Sequence, residues 1–198
     1  MSNNLMLSLE DSSMLADFTT AETENPSPQK LINQSYIIYY SQNFRRPTGG
    51  RNYGLPVLCD LGEARIGKTQ ASGPFVQPHI YRAPEVIFEM TWGSAIDIWN
   101  LAGLIWDLFE GQHLFGDIFD AKGGHDPFRH LALMVALIGP PPTEFVRCSH
   151  WIAYHEAPIL SVSLEALEKR LSGEEKELFL AFIRSMLKWM PEERKTAG

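Results

Sequence analysis

Three carboxylates stand out for their type and setting. Asp60 ends the apolar run Leu55-Pro56-Val57-Leu58-Cys59 and is followed by Leu61-Gly62. Glu85 closes Tyr81-Arg82-Ala83-Pro84-Glu85, and Asp97 stands twelve residues later in Asp97-Ile98-Trp99. Arg194 follows near the end, in Met190-Pro191-Glu192-Glu193-Arg194-Lys195-Thr196-Ala197. Carboxylates in such places can hold a hard cation, accept from backbone amides or pair with a guanidinium. A further group of acids lies between residues 107 and 126. Asp107, Glu110, Asp117, Asp120 and Asp126 oppose a single Lys122, a local balance of −4. An acidic patch raises encounter rates with basic chains, and does so less at high salt. An ordinary solvated loop is the other reading of that segment. Arg45, Arg46 and Arg51 could bind an anion or simply solvate a Gly/Pro loop. Cys59 and Cys148 have no metal spacing. Asn33-Gln34-Ser35 matches a glycosylation sequon, a short pattern that often arises by chance.

The elements that must position these groups are legible in outline. Leu5–Leu9 and Met14–Phe18 read as two short strands around a turn at residues 10–13. Residues 19–35 read as a polar loop with Asn25-Pro26-Ser27-Pro28. Ser35–Tyr40 is β-branched and aromatic, a third strand. A loop spans Phe44–Gly54, and Leu55–Cys59 forms the strand that delivers Asp60. Residues 63–80 lack periodicity and carry Gly67, Gly73, Pro74 and Pro78, which makes a long loop.

From residue 83 the pattern turns helical. Ser94 caps a helix running to Glu110 and closed by Gly111, apolar on most of its surface and so central to a core. Asp126–Ile138 is a helix with the stripe Leu131, Met134, Val135 and Ile138, stopped by Pro140-Pro141-Pro142. A short helix covers Leu164–Leu171. The last runs from Ser172 or Gly173 to Trp189, with Leu178, Phe179, Phe182, Ile183, Met186 and Leu187 on one stripe.

The 198 residues carry 17 Lys and Arg against 24 Asp and Glu, a net charge of −7. That balance disfavours a nucleic-acid binder held by phosphate contacts and suits a basic protein partner. No stretch reaches the roughly 18 apolar residues of a membrane helix, and the first residues lack a signal-peptide pattern. Two cysteines are too few for a disulfide framework, and a reduced, intracellular setting is expected.

Taken singly, each motif is weak; the ordered set is not. It resembles the C-terminal lobe of a eukaryotic protein kinase, with Asp60-Leu61-Gly62 like Asp-Phe-Gly and Ala83-Pro84-Glu85 like the Ala-Pro-Glu that ends the activation segment. Within that family it is most similar to fungal SR-protein kinases of the CMGC group. The pieces are Pro56–Asp60, Ile80–Ile87, Asp97–Asn100, Trp106–Gly111, His113–Phe115 and Ala136–Pro141. The resemblance implies a mainly α (α+β) fold, a kinase C-terminal lobe built as a helical bundle with short β-strands near the N-terminus. Residues 1–54 would hold the end of the catalytic loop, a strand and an insert. Residues 55–85 would be the metal-binding strand and activation segment (Leu61, Gly62 and Tyr81 to Glu85), and 86–198 the helical subdomain.

The resemblance also assigns roles. ATP and Mg²⁺ are the implied cofactors, with Asn4 and Asp60 as metal ligands and Cys59 on the nucleotide-pocket floor; a buried inert thiol is the plainer reading of Cys59. Asn3-Asn4-Leu5-Met6 resembles the tail of the catalytic loop, though Asn3 stands where an aspartate is expected. Glu85 and Arg194 would form an ion pair, Asp97 would bond catalytic-loop amides, and Trp99 would be structural. Asp107, Glu110, Asp117, Asp120 and Asp126 would dock basic Arg/Ser-rich protein substrates.

The 198 residues include no Gly-rich phosphate loop, no Val-Ala-Ile-Lys lysine and no His-Arg-Asp. The expectation is therefore a serine/threonine kinase lobe truncated at its N-terminus and inactive as this chain. The alternative is a pseudokinase-like module that binds basic Arg/Ser-rich peptides without turnover. No direct nucleic-acid or membrane contact is expected, and the oligomeric state is left open.

Overall fold

The computed structural model describes residues 4–9, 13–43, 54–62, 64–71, 76–148 and 160–198. Asn3 and the arginine loop lie outside these residues. The chain divides into two compact units, Met1–Gly62 and Glu63–Gly198.

In the first unit β1 (Leu5–Leu7) pairs antiparallel with β4 (Pro56–Leu58), with Leu5 opposite Leu58 and Leu7 opposite Pro56. A long excursion joins them and is closed at its base. Ser8 N donates to the Leu55 carbonyl at 2.9 Å, and Leu55 N donates to Ser8 Oγ at 2.8 Å. Gly54 makes this closure possible: its φ is +71°, and a Cβ there would stand 1.9 Å from the Ser8 carbonyl oxygen.

The excursion corrects two expectations. Met14–Phe18 is not a strand but part of α1 (Ser13–Glu24). Twelve residues without Gly or Pro can close intrahelical bonds, and Thr19, Thr20 and Thr23 add hydroxyl bonds to carbonyls four residues back. Glu22 ends the element by accepting from Ser27 N and Ser27 Oγ, just past Pro26. Residues 29–33 are not loop but β2 (Gln29–Asn33), paired with β3 (Tyr36–Tyr39). The Asn33 side chain fixes the hairpin turn, accepting from Ser35 N at 2.8 Å and Tyr36 N at 3.1 Å.

The second unit is helical. A 3₁₀ turn and a short helix open it: the turn His79–Tyr81, then α2 (Pro84–Ile87). The long α3 (Ala95–Glu110) follows and ends at Gly111, φ +72°, whose N–H bonds the Asp107 carbonyl. Ser94 precedes α3 but makes no side-chain cap, because it already sits in a helical turn continuing from Gly93. Nor is α3 buried all round: Leu101 and Leu108 face solvent, while Ile96, Trp99, Ala102 and Trp106 enter the core. Trp99 stacks on Phe115 at 5.7 Å, and Trp106 on Phe179 at 6.0 Å.

Helix α4 (Pro127–Ile138) starts at Asp126, whose Oδ1 accepts from Phe128 N and Arg129 N. Its deepest face is His130, Leu133, Met134 and Leu137. Leu131, Val135 and Ile138 are only half-buried, a rotation of the expected stripe about the shared Met134. Helix α5 (Thr143–Cys148) directly follows the prolines, which end one helix and start the next. Helices α6 (Leu164–Leu167) and α7 (Gly173–Met186) complete the bundle. On α7 the buried set is Leu180, Ile183 and Met186, whereas Leu178 and Phe182 are exposed. Two stripes fit a 3.6-residue period there, and contact with α3 selects between them.

Candidate functional site

In the first unit the β1–β4 ladder carries Asn4 and Asp60 side by side. Asn4 precedes β1 and Asp60 follows β4. Cys59 N donates to the Asn4 carbonyl at 2.8 Å, extending the pairing by one rung. Asn4 Nδ2 donates to Asp60 Oδ2 at 3.3 Å across 56 residues of sequence. This leaves Asn4 Oδ1 and Asp60 Oδ1 as open hard-oxygen donors, the types that Mg²⁺ accepts alongside water and phosphate. Asp60 has φ +60°, a left-handed conformation that Asp tolerates better than most residues. Cys59 is half-buried, with its Sγ 3.7 Å from the Val57 carbonyl oxygen. Leu61 is exposed. Among the described residues no group of three or more His, Cys, Asp or Glu is arranged around a metal position. The donor set at this ladder is the amide–carboxylate pair alone.

In the second unit Gln77 organises the residues before α2. Its Nε2 donates to the Ile96 carbonyl, its Oε1 accepts from Ala83 N at 2.9 Å, and its own carbonyl accepts from Arg82. Val76, Gln77, Pro78, His79 and Arg82 line a cavity of about 450 Å³. Tyr81 is buried against α3, its hydroxyl donating to Asp107 Oδ2 at 2.6 Å. Asp107 also holds His113 Nδ1 at 2.6 Å and accepts from Leu114 N at 3.1 Å. Burial and this carboxylate push the Tyr81 hydroxyl well above its ordinary pKa.

Glu85 and Arg194 meet in the core with both side chains fully buried. Arg194 NH1 donates to Glu85 Oε1 at 2.7 Å and NH2 to Oε2 at 2.6 Å. Its remaining donors reach the carbonyls of Lys188 and Ala95, and its face lies 5.2 Å from the Trp99 ring centroid. Asp97 stands in the first turn of α3, open to solvent, with partial desolvation raising its carboxyl above the ordinary range.

The acidic segment is less open than its sequence implies. Asp107 is taken up by Tyr81, His113 and Leu114. Only 10% of the Glu110 side chain is exposed, against Arg170, so neither it nor Asp107 forms part of an open docking face. Asp120 holds a turn through Lys122 N and Gly124 N, and Asp126 caps α4, but each engages only Oδ1. Asp117 is exposed beside Arg129 at 3.4 Å.

Three histidines that sequence reading passed over also meet here. His79 stacks on His125 at 4.4 Å, and His125 Nε2 lies 3.2 Å from His130 Nδ1. Burial comes first in lowering all three and Arg82 adds to it; His79 also lowers His125, to about 4, and both lower His130, to about 3. Nothing in their spacing marks the cluster, since His79 arrives from a different segment. Gln77 carries no sequence signal either.

The chain matches the protein kinase domain family over residues 51–198. It is 43% identical to a serine/threonine protein kinase of Aspergillus fumigatus, over 94% of this chain and 49% of that protein. Serine/threonine-protein kinase SRPK of Physarum polycephalum is 34% identical over 62% of this chain and 32% of its own length. Dual specificity protein kinase CLK2 of Homo sapiens is 27% identical over 85% of this chain and 35% of its own. The chain thus spans half or less of the length of these relatives. The family match covers the Asp60 strand, the Glu85–Arg194 pair and the whole helical unit, and it shows that this chain belongs to the protein kinase family.

Proposed function

We propose that the chain serves a serine/threonine protein kinase of SR-protein type as its C-terminal lobe, the part that holds Mg²⁺-ATP from below and docks Arg/Ser-rich substrates. The observation that carries this is the Asn4–Asp60 pair, an amide and a carboxylate brought to 3.3 Å by a strand ladder. Asn4 and Asp60 would hold Mg²⁺, which neutralises phosphate charge when bound. Cys59 would line the nucleotide floor. Residues 1–54 would carry the catalytic-loop end and insert, 55–85 the metal strand and activation segment, and 86–198 the docking subdomain. Asp117, Asp120 and Asp126 keep open oxygens for basic side chains, whereas Asp107 and Glu110 support structure. Glu85, Arg194 and Trp99 would fix the end of the activation segment. A cytoplasmic or nuclear setting fits this reading, and among the described residues no helix is long and apolar enough to cross a membrane.

These 198 residues contain no His-Arg-Asp motif and no Val-Ala-Ile-Lys lysine. A second reading, a pseudokinase-like module that binds Arg/Ser-rich peptides without turnover, rests on the free carboxylate oxygens of Asp120 and Asp126 and the exposed Asp117. One experiment addresses both. The purified chain is incubated with Mg²⁺-ATP and an Arg/Ser peptide, following phosphate incorporation and peptide binding. Binding without turnover is expected. Asp60-dependent turnover would overturn the inactivity of these residues alone, and absence of peptide binding at low salt would overturn the docking role.

A further inference from the structure

The hairpin β2–β3 is exposed along its whole length. Tyr36, Ile37, Ile38, Tyr39 and Tyr40 are 69, 46, 59, 60 and 73% exposed. A two-stranded sheet standing alone in water is marginal, and a third strand with apolar cover makes it stable. Its two edges differ. The β2 edge follows Pro28, carries Lys30 and is broken by an irregularity between Leu31 and Asn33. Charge, proline and bulges are the devices that keep a sheet edge from pairing. The β3 edge has none of them, and among the described residues no strand pairs with its outer side.

We propose that β3 is a self-association edge, and that two copies of this chain join antiparallel through it into a four-stranded sheet ordered β2-β3-β3-β2. Directly opposite residues in a sheet share a face, so a twofold axis normal to the sheet must pass through a residue position and not between two. Placing it at Ile38 sets Ile38 opposite its own mate, Ile37 opposite Tyr39 of the second copy and Tyr36 opposite Tyr40. These are aromatic and β-branched cross-strand pairs, the stabilising kinds. No charge lies on the edge to oppose the approach of a second copy. Pairing covers the facing edges of these three tyrosines and two isoleucines and leaves both sheet faces in water, so the strip is smaller than the ~800 Å² per partner of a standard interface and the association is weak and reversible. The edges left outermost are the protected β2 edges, so growth stops at a closed pair.

Sedimentation of the 198-residue chain between about 1 and about 100 µM, the micromolar range in which a small, reversible interface shows itself, tests the proposal. The mass is expected to rise toward twice that of the monomer. Ile38→Lys puts two ammonium groups opposite each other and keeps the chain monomeric, with the helical circular-dichroism signal unchanged. Should that variant fail to fold, Ile38→Cys in a Cys59→Ser, Cys148→Ser background is oxidised instead. It cross-links two chains, while Lys30→Cys in the same background does not. A mass that stays monomeric throughout, a dimer that survives Ile38→Lys, or cross-linking at Lys30 in place of Ile38 overturns the proposal. A monomer whose hairpin strand pairs with another protein counts as the first of these.

Discussion

Glu85 and Arg194, 109 residues apart, form a two-pronged ion pair with no solvent access to either side chain. The pair joins α2 to the 3₁₀ turn Pro191–Glu193, and the α3 N-terminus supplies a carbonyl to the same guanidinium. Desolvating two charges offsets much of their attraction, so such a pair fixes geometry more than it adds net stability.

Removing one partner leaves the other charged and dry. Arg194→Met is expected to destabilise the helical unit by about 3–5 kcal/mol. The double variant Glu85→Leu, Arg194→Met is expected to recover part of that loss. Urea unfolding followed by tryptophan fluorescence measures both, and a double variant no more stable than the single one contradicts the pairing.

The histidine cluster gives a signed pH dependence. His125 and His130 fold with pKa values lowered to about 4 and about 3 against a usual 6.5. The unfolded chain therefore binds more protons below pH 6.5. Stability is full above that pH and falls as pH drops toward the folded values. Each fully shifted histidine contributes a slope of about 1.4 kcal/mol per pH unit in that window, less for the half-buried His125. Arg82 disfavours protonation and Asp126 favours it slightly at His125. Thermal unfolding from pH 7 to 5 should show this slope, reduced in His130→Phe. An unchanged slope contradicts the cluster's role.

Gly103 on α3 makes room for the Tyr81 ring, since a Cβ there would lie 3.0 Å from a ring carbon. Gly103→Ala should gain helix propensity and still lose about 1–3 kcal/mol through overpacking. Differential scanning calorimetry reads the balance. A raised melting temperature would mean that Tyr81 yields easily.

Docking should separate the acids by their neighbours. Asp117→Asn with Asp120→Asn is expected to weaken Arg/Ser-peptide binding several-fold at low salt and little at high salt. Asp107→Asn is expected to act through stability, because it weakens the acceptor shared by Tyr81, His113 and Leu114. Fluorescence anisotropy at two salt concentrations, beside a melting curve, distinguishes the two behaviours.

Elements with strong local signals were legible in the amino-acid order. Gly111 ends α3, Pro127 and Asp126 start α4, and the apolar run to Cys59 delivers Asp60 as a strand end. Where two patterns fitted, tertiary contact decided. Met14–Phe18 is a short, mostly apolar run that reads as a strand yet lies in a helix, and the exposed Leu178 and Phe182 share a period with the buried Ile183. The Asp107 hub was hidden because its partners come from two separate places in the chain, Tyr81 and His113–Leu114, and a charge count treats a buried acceptor and an open carboxylate alike.

The closure at Gly54 and Ser8 insulates the Asn4–Asp60 pair from everything strung between. Chain entropy charges little for a longer tether, about 0.6 kcal/mol for each doubling of loop length. The segment beyond that clasp can therefore lengthen, shorten or take on new sequence while the two side chains at the ladder keep their spacing. The excursion behaves as a replaceable appendage on a fixed mount, and a graft or deletion distal to Ser8 and Gly54 should leave the mount intact.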